Sequence, residues 1–111
     1  MPLFRREKVE PVVVELQPAY SVMAPGDRVK VAVKVAGAGE DVTLSASSAE
    51  GEGPPEGIKV DFSPPAGPLP LTSVMEASVS REMKPGAYPF LVVATTPKRK
   101  IPATFVVIVQ K

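Results

Sequence analysis

Cysteine, histidine, tryptophan and asparagine are all absent from the 111 residues, and each absence removes a class of chemistry. Without cysteine there can be no disulfide and no thiolate, so stability has to come from packing and the redox compartment is unmarked. With histidine missing as well, the chain lacks the usual ligands of structural zinc, copper and redox iron. It can assemble neither a Ser-His-Asp nor a Cys-His constellation. No metal and no cofactor are expected. Aromatics are only 5% of the chain. Phe62, Tyr88, Phe90 and Phe105 fall at apolar, core-type positions, which leaves Phe4 and Tyr20 as the rings free to pack on a sugar, so carbohydrate is not an expected ligand. The lack of asparagine, a mere two glutamines and as many as 14 prolines match the depletion of thermolabile amides and the stiff loops of heat-adapted proteins. A thermophilic source is expected.

An excess of charge of one sign is also missing. Thirteen basic residues face twelve acidic ones, for a formal charge of +1, so no overall field draws nucleic acid or an anionic membrane. The apolar runs are strand-length, far below the roughly 20 residues of a membrane span. The first eight residues carry charge without a following apolar region or small-residue cleavage site, so they do not read as a secretory signal. A cytoplasmic location is expected for the chain as written, and an extracellular one if it is a domain of a longer secreted protein. Gly37-Ala38-Gly39 and Gly51-Glu52-Gly53 lack the Gly-Lys-Ser/Thr and the following helix of a phosphate loop. Glu40-Asp41 and the Glu50, Glu52, Glu56 group lie on predicted loops. There they read as solvated turn residues rather than as an acid and base pair or a calcium site. No enzyme is expected.

What is present is strand pattern. Arg28 to Val35 alternates valine with mostly cationic residues, the period-two signature of a strand buried on one face. Ala24-Pro25-Gly26-Asp27 before it is a turn, with proline fixing φ and Gly26 free to take positive φ. Val12 to Leu16, Asp41 to Ala46, Ile58 to Phe62, Ser73 to Ser80, Ala87 to Thr95 and Ala103 to Val109 read in the same way. About seven short strands between Gly/Pro-rich turns make an all-β, two-sheet antiparallel sandwich. Pro64-Pro65 to Pro70 reads as a stiff connection crossing between the sheets rather than as a proline-motif ligand. Residues 1–10 form a basic tail and residues 11–111 one domain.

Three stretches carry a resemblance: Met23-Ala24-Pro25-Gly26-Asp27, Asp61-Phe62-Ser63-Pro64-Pro65, and Lys84-Pro85-Gly86-Ala87-Tyr88. They resemble the immunoglobulin-like domains of archaeal and bacterial surface proteins, in which a Pro-Gly-Asp turn opens the second strand and a Pro-Gly-x-Tyr turn the sixth. The resemblance implies structural roles for Gly26, Gly86 and Tyr88, the tyrosine ring being buried and its hydroxyl bonded to nearby backbone. Pro89 departs from the pattern, because it cannot donate in a strand paired on both sides. Either a bulge lies there or the partner strand starts later.

Parity then singles out one surface. With Tyr88, Phe90, Val92 and Ala94 inward, Leu91 and Val93 point out; with Ala103, Phe105, Val107 and Val109 inward, Val106 and Ile108 point out. Leu91, Val93, Val106 and Ile108 should therefore share an apolar outer face, Leu91 lying opposite or diagonal to Val106. The leading expectation is a non-enzymatic protein-interaction or structural module that self-associates or meets a protein partner through this face. The other reading is a small nucleic-acid or anionic-surface binder that uses Arg5, Arg6 and Lys8 of the tail with Lys98, Arg99 and Lys100 of the last hairpin.

Overall fold

The computed structural model describes residues 12–49 and 51–110. Among the described residues there are ten strands and no helix: β1 (Val13–Gln17), β2 (Tyr20–Met23), β3 (Arg28–Ala36), β4 (Asp41–Ser48), β5 (Gly51–Glu52), β6 (Ile58–Ser63), β7 (Ala66–Pro68), β8 (Leu71–Val79), β9 (Gly86–Thr95) and β10 (Lys100–Val109). One sheet has four strands in the order β1-β3-β8-β6. The other has six, β2-β10-β9-β4-β5, with β7 also on the free edge of β4. Pairing is antiparallel except between β2 and β10, which run parallel.

The alternation in β3 shows how the sheets come to face each other. Val31, Val33 and Val35 are at most 1% exposed, while Arg28, Lys30 and Lys34 stand in solvent on the opposite side. Met75 of β8 joins them at 0% exposure, and Phe105 and Val107 of β10 meet them from the other sheet, also at 0%. Phe90 and Phe105 are direct cross-strand partners, and their rings tilt together with centroids 5.6 Å apart. That separation is within the range in which tilted aromatic pairs attract. The one buried serine at the sheet interface is satisfied: Ser73 donates its hydroxyl to the Pro64 carbonyl at 2.8 Å, which ties the proline connection to β8.

Seven of the ten strands coincide with those expected from sequence, and β2, β5 and β7 are additional. The first strand is split. β1 lies on β3; after Pro18, which has no N–H to keep it in a ladder, the chain crosses to the other sheet and β2 runs beside β10. Between β4 and β8 the chain crosses repeatedly: β5 and β7 dock on β4, whereas β6 docks on β8. Leu44 donates its N–H to the Pro65 carbonyl at 2.8 Å, so the proline segment covers the otherwise open edge of β4.

Three local expectations are also decided. Pro89 pairs only with β10, because β4 joins β9 from Leu91 onward. The late-starting partner is the answer, and no ladder bond is lost. Tyr88 is half-buried rather than buried, since its ring lies beyond the part of β9 that β4 flanks. Phe62, expected in the core, is half-buried too, because β6 is the edge of its sheet.

Candidate functional site

The register of the six-stranded sheet converts its outer face into a map. Across β2, β10 and β9, Val22, Ile108 and Ala87 form one row and Tyr20, Val106 and Pro89 the next. Across β10, β9 and β4 follow Thr104, Leu91 and Ser47, then Pro102, Val93 and Ser45, and last Lys100, Thr95 and Thr43. The face therefore grades from apolar at the β2 end to hydroxyl-bearing, with a lone lysine, at the other. Leu91 sits diagonally from Val106, which opposes Pro89. Leu91, Val93, Val106 and Ile108 are brought together on this one side, Leu91 exposed and the other three half-buried.

Sequence reasoning missed the two most open members. Tyr20 is 59% and Val22 53% exposed, and both belong to the unexpected strand β2. The signal was present in the alternation of Tyr20 and Val22 against buried Met23, but a four-residue run next to a proline is too short to read alone.

The hairpin carrying this face is fixed at both ends. At its start, Tyr88 donates its hydroxyl to the Lys84 carbonyl at 2.7 Å, and Gly86 lies against the ring, where a Cβ would come within 3.7 Å of it. At its tip, the Thr96 hydroxyl accepts the Lys98 and Arg99 N–H groups at 3.2 and 3.1 Å. There Arg99 forms an ion pair with Glu40 of the facing turn at 3.3 Å. The Thr96 hydroxyl, then Arg99 and Lys98, hold the Glu40 carboxyl below the usual carboxylate range against the opposing effect of burial. The second carboxylate oxygen of Glu40, Oε1, is buried with no hydrogen-bond partner among the described residues.

Of the six cations expected to make an anion patch, Arg5, Arg6 and Lys8 lie outside the described residues, as does Glu50. Arg99 is engaged by Glu40, which leaves Lys98 and Lys100 exposed at the hairpin tip. Glu52 and Glu56 do not gather with other acids: no group of three or more potential metal-ligating side chains occurs among the described residues. Gly26 takes φ of +89°, and a Cβ there would lie 3.1 Å from the Arg81 Cγ. The turn therefore needs glycine for its conformation and for the side chain laid across it.

No protein-family model matches the chain, and no curated protein matches it. Solved structures are similar in shape. A family 123 glycoside hydrolase from Clostridium perfringens, described for glycolipid glycan hydrolysis, superposes with a TM-score of 0.57 at 16% identity, over 83% of this chain and 23% of that one. The VesB protease of Vibrio cholerae gives 0.54 at 11% identity, over 88% of this chain and 32% of that one. A chimeric titin Z1Z2 carrying a KLER peptide from decorin gives 0.52 at 13%, over 93% and 95% respectively. The chain thus spans about a third or less of the two hydrolytic enzymes and nearly all of the titin chain. Such identities speak for fold alone. The fold is an immunoglobulin-like β-sandwich.

Proposed function

We propose that this domain is a non-enzymatic protein-interaction or structural module that associates through the outer face of β9, β10 and β2, most simply with a second copy of itself. The observation that carries the reading is the apolar end of that face, where Tyr20, Val22, Leu91, Val106 and Ile108 lie together with no charged residue among them. An end without charge offers nothing to attract a strongly charged partner and nothing to repel its own copy. The want of histidine and cysteine supports a role without catalysis. The Pro-Gly-Asp and Pro-Gly-x-Tyr turns extend the proposal to modules of bacterial and archaeal surface proteins.

Size decides how strong such a contact is. Strands β9 and β10, apolar over about seven residues at about 3.3 Å each, with the four residues of β2 beside them and about 4.8 Å between strands, make a patch of roughly 300 Å². That is within the range of the largest patches on ordinary monomers, which are often functional. It is short of the roughly 800 Å² per partner of a stable complex. The association is therefore weak, and it suits modules held at high local concentration, as neighbours in one chain are. The anionic-surface reading has less support, since Arg99 is taken up by Glu40.

Light scattering across protein concentration and ionic strength tests the proposal. The mass should rise with concentration and hold or rise further with salt, because apolar contact is strengthened by it whereas a basic patch is weakened. Leu91→Lys with Ile108→Lys should give a folded monomer throughout. A wild type that is monomeric at the highest soluble concentration, with a double variant that unfolds, would show that the face is internal.

A further inference from the structure

A second surface lies on the other sheet, at the opposite end of β3 from the contact between Glu40 and Arg99. The register places Arg28 of β3 and Lys59 of β6 on either side of Ser78 of β8, in one row across the outer face. This row forms one wall of an open groove of about 680 Å³. The turn at Gly26 and the Pro54-Pro55-Glu56-Gly57 loop close its sides, and Ser80 and Arg81 complete it. Arg81 is placed there by the fold, its stem lying over Gly26.

The charges in this groove are poorly balanced. Arg28 reaches Glu76 only at 3.8 Å, with 75% of its side chain exposed. Lys59 and Arg81 form no ion pair among the described residues. Asp27, next to the groove, is engaged in its own turn, where its carboxylate accepts the Ala24 N–H at 2.9 Å. Glu56 is the one carboxylate in the lining. Three cations from three different elements thus line the groove with two serines and one acid, while Glu76 and Asp61 stand in the next row of the sheet, outside the lining. Convergent like charges repel unless an anion joins them, and a concave site focuses their field more than a convex tip does. Two guanidinium forks, an ammonium and two hydroxyl donors suit the oxygens of a doubly charged tetrahedral group better than a single carboxylate.

We infer that this groove binds a tetrahedral oxyanion, the phosphate or sulfate group of a larger ligand, held by Arg28, Lys59 and Arg81 with Ser78 and Ser80. The inference does not rest on the apolar face of the other sheet. Titration of the ¹⁵N-labelled protein with sodium phosphate and with sodium sulfate tests it, with acetate and chloride at matched ionic strength as controls. Both tetrahedral anions should shift the amides of Gly57, Lys59, Ser78 and Arg81 saturably, the tighter of the two indicating the ester the groove serves. Lys59→Gln and Arg81→Gln should each weaken binding about fivefold, as loss of one charge-assisted contact does at an open site. Arg81→Gln could disturb the Gly26 turn, but Lys59 projects into solvent, and its replacement leaves the fold unchanged. Shifts no larger than those with chloride would overturn the inference. So would acetate binding as tightly as phosphate, responses confined to Lys98 and Lys100, or a Lys59→Gln protein that binds like the wild type.

Discussion

On the outer face of the four-stranded sheet the register sets Lys30, Glu76 and Asp61 in one row and Glu15 opposite Lys34. The corresponding rows of the six-stranded sheet read Val22, Ile108, Ala87 and Tyr20, Val106, Pro89. The inner faces do not differ in this way, since both supply valine, methionine or phenylalanine to one core. β3 alternates because only one of its faces is covered. From Phe105 to Val109, β10 is apolar on both faces, which is the pattern of a strand with something packed on each side. Among the described residues, only the inner side of β10 has that cover.

The sharpest way to break this comparison uses two adjacent positions of β10. Val107 is fully buried, so Val107→Lys would place an unpaired charge in the core and should cost more than about 4 kcal/mol, enough to unfold the domain in a urea titration. Ile108→Lys, one residue along, should cost less than about 1 kcal/mol. Equal losses would mean that both sides of β10 are interior.

A smaller effect tests what holds the apolar hairpin in place. Tyr88→Phe removes a hydroxyl bonded at 2.7 Å and should lower stability by about 1 kcal/mol in the same titration. No change would remove the tyrosine as the anchor of β9.

The smallest effect lies at the hairpin tip, where the polar end of the face begins. The carboxyl of Glu40 is lowered from 4.5 in the folded protein, so the unfolded chain takes up its proton first as pH falls. The stability that this group contributes is complete above about pH 4.5 and is lost as pH falls through the lower, folded value. Glu40→Gln should flatten that limb of a stability profile below about pH 4.5 and leave the profile near neutrality parallel to that of the wild type.

Much of this was legible in the sequence, and the reasons are local. The strands that alternate over five or more residues, such as β3 and β8, declare both their existence and their inward side. Leu91, Val93, Val106 and Ile108 follow from parity alone. What was not legible depends on partners distant in the chain. Ala66-Gly67-Pro68 and Gly51-Glu52 have no preference for strand, and they are strands because the edge of β4 is next to them. Here tertiary context overrides propensity. Tyr20 and Val22 joined the face only because the chain changes sheet at Pro18, and the convergence of Arg28, Lys59 and Arg81 depends on the register of three strands.

Dilution of the ¹⁵N-labelled protein, followed by amide shifts from the highest soluble concentration downward, tests the role of the apolar face most directly. Association through that face predicts concentration-dependent shifts at Tyr20, Val22, Leu91, Val93, Val106 and Ile108, with none at Lys30, Val74 or Glu76 on the opposite sheet. Leu91→Lys should abolish them, whereas Val74→Lys, which replaces a valine 41% exposed on the charged face, should leave them intact. Shifts that do not change with concentration, or that map to the four-stranded sheet, would contradict it.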